Sequence, residues 1–339
     1  MPSIQRRMSC FAQWIAPDPA TTPDVRAHAK GVLSRLAAKA VEMDIPVVDS
    51  MIGGSFDKKT GLRRHMRGNN EIEGQDIDLV FVVDHDDDAE YFAELVSDFA
   101  RVVKASYPST EATPTKCSVQ VEFSNPLVTY DVVPVYKTAK PNYQLIVRTD
   151  MERRLTAVKL HSEFIGTRIT RSKSSPGVVE FNECIRLVKW WRDVFIGNKA
   201  YYLREVGVPS VLVELLFASV FDSVGVQKDY AATLSQWFET AAGIVRKRSP
   251  VFFSDYSSNQ PGANPVGVNW QVLDPVNLEN NISKKWTPQQ LDEFSTALKT
   301  AADGINRAIR CDIFDDEVAS LEELVGVFGT AVRNHCGDE

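Results

Sequence analysis

Three aspartates in or beside apolar runs of the sequence are the residues best suited to chemistry. Asp76 and Asp78 stand at the start of the run 79–83, and Asp131 interrupts a second run, 127–136. An ionised carboxylate in a buried strand is costly unless it is paired or ligates a metal ion. The sequence therefore predicts that these three acids hold a metal ion.

The spacing of the acids indicates how they would do so. Asp76 and Asp78 are two residues apart, so both project from the same face of a strand. Two carboxylates on one face repel each other unless a positive charge lies between them. Mg²⁺ prefers oxygen ligands and often shares them with substrate phosphates. If the strand of Asp131 pairs with that of Asp78, the acids complete a two-metal site in which Asp131 ligates the ion that activates the nucleophile.

A small-residue turn, Gly53-Gly54-Ser55, precedes the acids. Glycines let backbone N–H groups approach phosphate oxygens closely, and Ser55 adds a hydroxyl donor. A plain tight turn explains this tripeptide equally well when it is taken alone, and Asp-x-Asp is a common pair. The ordered combination of glycine turn, Asp-x-Asp before a strand and an apolar-embedded Asp131 predicts a site for a metal-bound nucleoside triphosphate.

Composition restricts the class of protein. The chain has 339 residues, of which 44% are hydrophobic and 24% charged, and a net charge of −7. These values are typical of a globular protein with one large or two moderate domains, and they argue against a general binder of long nucleic acid. No run approaches the roughly 18 apolar residues of a membrane span. The N-terminus lacks the apolar core of a signal peptide, so we expect a cytoplasmic protein without a membrane partner.

The five cysteines are scattered, odd in number and free of any Cys-x-x-Cys pair or zinc-type Cys/His cluster. We therefore expect reduced thiols that are mostly buried.

The apolar periodicity divides the chain into a mixed α/β half and a helical half. Strands are predicted at 47–52, 79–83, 117–123, 127–136 and 143–147. Helices are predicted at 23–43, 89–105, 154–170, 178–196, 209–224, 230–247, 287–310 and 318–334. The segments 57–75 and 249–285 are predicted to be loops, the first of them mobile. We predict an α+β fold with a nucleotidyltransferase core at 1–152 and a helical lobe at 153–339.

The ordered set of motifs resembles the nucleotidyltransferases of the DNA polymerase β superfamily. Residues 186–191 (RLVKWW), 208–216 (VPSVLVELL) and 273–281 look like the helical half of oligoadenylate synthases and cyclic GMP-AMP synthase. The chain thus resembles the CD-NTase group, which makes cyclic oligonucleotides in bacterial anti-phage (CBASS) signalling. The resemblance implies a polymerase β-like core, a mixed sheet with flanking helices, followed by a helical lobe, in a bilobed molecule with its active site in the cleft.

The same resemblance implies roles for individual residues. Lys189 and Ser210 would bind the donor triphosphate together with Gly54 and Ser55, while the three acids would hold two Mg²⁺ or Mn²⁺ ions. Lys189 could instead be a surface lysine beside two tryptophans, and Ser210 a simple helix-start residue. The partners implied are nucleoside triphosphates, ATP among them, and a regulatory protein of the same defence system, with no long nucleic acid required.

Two other positions bear on the resemblance. Val211 stands where some relatives place an aromatic side chain that stacks on a nucleobase, and Tyr136 or Tyr201 could replace it or be ordinary packing residues. His161 lies in a segment that resembles a histidine motif of the superfamily, where a structural hydrogen bond is the role we expect.

The resulting prediction is an enzyme that joins nucleoside triphosphates into a cyclic di- or trinucleotide and releases pyrophosphate. A linear oligoadenylate synthase or an RNA 3′-terminal nucleotidyltransferase would use the same chemistry on another acceptor. A catalytically inactive sensor or scaffold of the same fold is a further alternative. The presence of all three acids argues against the scaffold, because without catalysis nothing favours keeping mutually repelling carboxylates.

Overall fold

The structure, a computed structural model, describes residues 3–63, 65–67, 70–73, 76–84, 89–124, 127–147, 152–175, 177–198, 202–203, 207–258 and 265–338. The chain divides into two compact units. Pro17–Glu163 form one, here called the sheet unit. Met1–Ala16 and Phe164–Glu339 form the other, here called the helical unit.

The elements of the helical unit begin with an N-terminal helix and resume in the second half of the chain. In chain order they are α1 (Ser3–Trp14), the later part of α5 (Val158–Lys173), α6 (Phe181–Asn198), α7 (Ser210–Val224), α8 (Tyr230–Lys247), β10 (Leu273–Asp274), β11 (Asn277–Asn281), α9 (Pro288–Ile313), α10 (Glu317–Phe328) and α11 (Ala331–Cys336).

The sheet unit contains the remaining elements. These are α2 (Thr22–Glu42), β1 (Val47–Ile52), α3 (Gly54–Asp57), β2 (His65–Arg67), β3 (Asn70–Glu73), β4 (Asp76–Val83), α4 (Ala89–Ser106), β5 (Ala112–Pro114), β6 (Val119–Ser124), β7 (Leu127–Lys137), β8 (Gln144–Val147), β9 (Arg153–Thr156) and the first residues of α5.

A seven-stranded mixed sheet organises the sheet unit. Its order is β1-β4-β7-β6-β5, with β8 joined to β7 and to β9. β4 and β7 run parallel, and β1 and β6 run antiparallel to them on either side. The predicted α+β class, a mixed sheet followed by a helical part, is confirmed.

The two faces of the central strands pack against different groups of residues. Because side chains alternate along a strand, Ile77, Leu79 and Phe81 point to one face, where they form the main core with residues of α2 and α4. Val80 and Val82 point to the other face and pack near Val158, at the start of α5. Asp76 and Asp78 precede Val80 in the same alternation, so the acids lie on this second face at the beginning of β4.

The N-terminal helix α1 packs with the C-terminal helices, contrary to the predicted division at 152/153. Met8 and Phe11 of α1 are fully buried, and Phe11 meets the Trp190 ring of α6 edge to face at 5.5 Å. The Arg7 guanidinium donates to the Glu317 carbonyl of α10 at 2.9 Å. The apolar face of α1 therefore joins the helical core, and the boundary after the sheet falls at residue 163 inside α5.

A disulfide joins α1 to α11, which makes the expectation of reduced thiols wrong for two cysteines. Cys10 and Cys336 are bonded, with their Cα atoms 5.9 Å apart across 326 residues of sequence. Cys117, Cys184 and Cys311 are free thiols. Spacing along the chain carries no signal for this pair, because the partners meet only when α1 and α11 pack together.

Two predicted segments differ from the structure in their regularity. The predicted loop 57–75 includes a short antiparallel pair of strands, β2 and β3. The predicted helix 318–334 is divided into α10 and α11 at Gly329, whose φ of 81° ends α10.

Among the described residues, no helix has the length and apolar character needed to cross a membrane.

Candidate active site

The pairing of β4 with β7 brings two of the predicted acids side by side. Asp78 lies opposite Asp131 in the parallel register, and Asp76 lies opposite Thr129. Neighbouring strands are about 4.8 Å apart, so the carboxylates of Asp78 and Asp131 leave the same face of the sheet as neighbours. The strand pairing that the two-metal interpretation required is present.

The glycine turn lies directly against Asp78. Gly54 has a φ of +67°, and a Cβ atom at this position would lie 1.6 Å from Asp78 Oδ2. The Gly53 amide donates to the Asp78 carbonyl at 2.8 Å, which ties the turn to β4. Gly54 is therefore required twice, by its left-handed backbone and by the space that the Asp78 carboxylate occupies.

Ser55 follows in the short helix α3 and is fixed by its backbone. Its carbonyl accepts hydrogen bonds from the amides of Thr60 at 3.0 Å and Gly61 at 3.1 Å. Asp57, at the end of α3, accepts a 2.6 Å hydrogen bond from the Ser162 hydroxyl of α5. The sequence interpretation missed this serine, which anchors α5 to the turn. Binding of phosphate by Gly54 and Ser55 stays a prediction.

The electrostatics of the acids follow from their proximity and burial. Burial, together with the negative charge of Asp131, raises the pKa of Asp78 to about 6, and nearby Lys58 opposes the shift. Burial also raises the pKa of Asp131, while a hydrogen bond from Ser118 acts in the opposite direction. The face of the sheet thus holds excess negative charge that the neighbouring side chains only partly offset.

The residues present fit a divalent cation in their chemistry. Two adjacent carboxylates with raised pKa values and a third acid two residues earlier on the same face are oxygen donors of the kind that Mg²⁺ prefers. Within the described ranges, no ready-made group of three His, Cys, Asp or Glu side chains is close enough to enclose an ion. Asp76 is exposed, so the closely placed part of the donor set is the pair Asp78 and Asp131.

Lys189, predicted to bind phosphate, is buried and paired with an acid. Its side chain is fully buried, and its ammonium lies 2.8 Å from a carboxylate oxygen of Glu214, which is 3% exposed. An ammonium without accessible surface, held by a buried carboxylate, would have to leave that partner to contact a triphosphate. The surface-lysine alternative is therefore wrong, and the phosphate contact stays a prediction. Glu214 lies in the apolar segment 208–216. An acid within a predicted apolar helix was the feature of the sequence that could have indicated a buried ion pair.

Ser210 is the first residue of α7 and already has a polar partner. The Arg192 guanidinium of α6 donates to the Ser210 hydroxyl, and the same guanidinium pairs with the neighbouring Asp193 at 2.6 Å. The hydroxyl proton of Ser210 is not used by that bond, since the hydroxyl acts there as the acceptor. Its contact with a donor triphosphate stays a prediction.

The structure describes three of the four positions considered for base stacking and for the histidine motif. Tyr136 is buried in the core cluster beneath the sheet, so it is a packing residue. Val211 is partly buried, and Tyr201 lies outside the described residues. The backbone amide of His161 donates to the Ala157 carbonyl at 3.0 Å within α5.

Comparison with known proteins gives the chain its relatives. Residues 2–163 match the family model of the Second Messenger Oligonucleotide or Dinucleotide Synthetase domain. The chain is 24% identical over 291 residues to the Cyclic AMP-AMP-AMP synthase of Escherichia coli (strain MS 115-1), with 84% of each chain covered.

Solved structures share the fold over nearly the whole chain. CdnC of E. coli MS115-1 with ATP has a TM-score of 0.78 at 22% identity, covering 97% of this chain and 98% of that one. The same protein in a complex with HORMA-deltaN has a TM-score of 0.77, also at 22% identity, covering 96% and 97%. The CD-NTase CdnG of Bradyrhizobium diazoefficiens with GTP has a TM-score of 0.69 at 14% identity, covering 99% and 96%. Residues 2–163 therefore match a synthetase domain model, and the chain shares the fold of these CD-NTases along nearly its whole length.

Proposed function

We propose that this protein is a divalent-metal-dependent nucleotidyltransferase that joins nucleoside triphosphates into a cyclic oligonucleotide and releases pyrophosphate. The observation that carries the proposal is the placement of Asp78 and Asp131 side by side on parallel strands. Gly54 against the Asp78 carboxylate and the CD-NTase fold support the same reaction class.

Each transfer is a substitution at phosphorus. A 2′- or 3′-hydroxyl oxygen of the acceptor nucleotide attacks the α-phosphorus of the donor. A new P–O bond forms, the bond from the α-phosphorus to its bridging oxygen breaks, and pyrophosphate leaves with the electron pair. The hydroxyl proton passes to Asp131 or to solvent. A final transfer within one linear product closes the ring, and position and charge supply most of the rate.

The side chains divide this work. Asp76, Asp78 and Asp131 would hold two Mg²⁺ or Mn²⁺ ions. Bound divalent ions lower the pKa of an attacking hydroxyl and neutralise charge on transferring phosphates. Gly54 gives the donor phosphates close access to the backbone and Ser55 offers a hydroxyl. Lys189 has no part in the proposal, because its charge is already neutralised inside the helical unit.

The relatives suggest the finer features. The name Cyclic AMP-AMP-AMP synthase of the E. coli relative favours a cyclic trinucleotide, or otherwise a cyclic dinucleotide, with ATP among the substrates. The HORMA-deltaN complex of CdnC favours a regulatory protein partner of the same kind. We place this activity in bacterial anti-phage signalling in the cytoplasm.

The test is incubation of the purified protein with all four nucleoside triphosphates and Mg²⁺ or Mn²⁺, followed by pyrophosphate detection. Products that resist phosphatase are then identified by chromatography and mass spectrometry. Asp78→Asn and Asp131→Asn are the inactive variants, and Asp49→Asn is the matched control. Asp49 is a half-exposed acid of β1 paired with Lys159 at 3.1 Å, so its loss should leave turnover unchanged.

Other outcomes would favour the alternatives. Linear products alone from an active preparation would contradict ring closure and favour an oligoadenylate synthase. Retention of RNA with extension of its 3′ end would favour a terminal transferase. Absence of metal-dependent pyrophosphate release, also after addition of a cognate regulatory partner, would favour a sensor or scaffold.

A further inference from the structure

A hydroxyl outside the predicted motifs contacts the acid proposed to serve the nucleophile. Ser118, the residue before β6, donates from its Oγ to Asp131 Oδ1 at 3.0 Å. Ser118 is 7% exposed, so solvent does not compete freely for this bond. In the described part of the chain, this is the polar side-chain contact that the structure gives to the Asp131 carboxylate.

The turn that carries Ser118 is closed by several hydrogen bonds. The Thr115 amide donates to the Ser118 carbonyl at 2.8 Å, and the Ser118 amide donates to Thr115 Oγ1 at 3.1 Å. The hydroxyls of Thr115 and Ser118 lie 2.8 Å apart. Because the proton of Ser118 goes to the carboxylate, the single proton of Thr115 Oγ1 is shared between Ser118 Oγ and the Ser118 carbonyl, which lies 3.1 Å away. The Ser118 oxygen is thereby fixed by both backbone and side-chain contacts.

The strands on either side of Asp131 show why its hydrogen bond with Ser118 matters for the site. Asp131 pairs with Gln120 of β6 on one side and with Asp78 of β4 on the other. The Ser118 hydroxyl reaches Asp131 from the β6 side, so it fixes one carboxylate oxygen of the acid that neighbours Asp78. A hydrogen bond to an ionised acceptor is short, directional and stronger than one between neutral groups.

From this geometry we propose that Ser118 is a positioning residue that orients the Asp131 carboxylate for the divalent cation it shares with Asp78. The inference rests on the proposed function and adds a residue to its site. Groups that hydrogen-bond to metal ligands fix the orientation of those ligands, and their removal typically lowers metal affinity about 10- to 100-fold.

The chain offers well-matched variants. Ser118→Ala removes the hydroxyl, and Ser118→Thr retains it. Ser106→Ala is the control, because Ser106 is 2% exposed and its buried hydroxyl has no hydrogen-bond partner among the described residues. It therefore reports the cost of removing a buried hydroxyl that orients nothing.

The primary readout is direct Mn²⁺ binding, measured by electron paramagnetic resonance and isothermal titration calorimetry on full-length protein without nucleotide. We expect Ser118→Ala to weaken Mn²⁺ binding about 10- to 100-fold, and Ser118→Thr and Ser106→Ala to bind within about threefold of wild type. In pyrophosphate-release assays, Ser118→Ala should need more Mg²⁺ for half-maximal rate, with the KM for nucleotide at saturating Mg²⁺ unchanged.

Three results would overturn the inference. These are Mn²⁺ affinity of Ser118→Ala within twofold of wild type, an equal loss in Ser106→Ala, and an equal loss in folded Ser118→Thr. Asp131→Asn separates this failure from failure of the proposed function. If Asp131→Asn abolishes Mn²⁺ binding while Ser118→Ala leaves it intact, only the role of Ser118 is lost. If Asp131→Asn also binds Mn²⁺ normally, the metal site itself is wrongly placed.

Discussion

The sheet unit and the helical unit each hold a pair of ionisable side chains, partly buried in the first and buried in the second, and the charges are alike in one pair and opposite in the other. Asp78 and Asp131 are like charges on neighbouring strands, with Lys58 as a partial offset. Lys189 and Glu214 are opposite charges 2.8 Å apart and almost completely buried. The helical pair is neutral by itself, whereas the sheet pair is only partly offset by Lys58, and we propose that a divalent cation supplies the remaining positive charge. This difference separates a structural ion pair from a binding site.

The largest effect is expected from a substitution that breaks the pair of Asp78 and Asp131. Asp78→Asn should lower pyrophosphate release at least about 10³-fold, because a metal ligand is lost. The same change should leave the free energy of unfolding equal to or higher than that of wild type, since repulsion from Asp131 is relieved. Assays of turnover and urea unfolding on one preparation measure both. Turnover near that of wild type, or a free energy of unfolding below that of Asp49→Asn, would contradict the assignment of Asp78 and Asp131 as a binding site.

The next largest effect is expected from a substitution that breaks the pair of Lys189 and Glu214. Lys189→Met should lower the free energy of unfolding by about 3–5 kcal/mol, because Glu214 is left as an unpaired buried charge. Adding Glu214→Gln should recover most of that loss. Lys159→Met, which breaks the half-exposed pair with Asp49, should cost below about 1 kcal/mol. A Lys189→Met protein with unchanged stability but weakened triphosphate binding would favour the predicted phosphate role over the structural one.

A smaller effect tests the space around Asp78. Gly54→Ala should lower turnover about 10- to 100-fold, because its Cβ must displace the Asp78 carboxylate and adopt a left-handed φ. Gly31→Ala is the control, since Gly31 lies in α2 with no atom within 4 Å of the added Cβ, and it should be as stable as wild type or up to about 1 kcal/mol more stable. Full activity in Gly54→Ala would mean that the turn does not constrain the site.

The smallest effect is a pH dependence of stability. The pKa of Asp78 rises from 3.8 to about 6 on folding, so between these values the folded state binds more protons than the unfolded state. Its contribution therefore disfavours folding increasingly as pH rises from 3.8 through 6 and is constant above that. We expect the difference in the free energy of unfolding between wild type and Asp78→Asn to change by about 2 kcal/mol between pH 4 and pH 7.5 without divalent ions. Urea unfolding at both pH values measures this difference, and an equal pH profile in the two proteins would contradict it.

Local pattern in the sequence accounts for the secondary structure around the site. The strand Val47–Ile52 and the helix Tyr230–Lys247 have the bounds that their apolar periodicity predicts, because such periodicity is set by neighbours along the chain. The common face of Asp76 and Asp78 likewise follows from their two-residue spacing. The sequence by itself therefore determined which acids can act together on β4.

Only the tertiary structure decided which distant groups meet these residues. The register that sets Asp78 opposite Asp131, the Ser118 hydroxyl on Asp131 and the burial of Lys189 against Glu214 all join residues from different elements. The packing of α1 with the C-terminal helices and the bond from Cys10 to Cys336 do so across the whole chain. A side chain's type and spacing state what charge it carries, but the groups packed against it decide whether that charge is already satisfied.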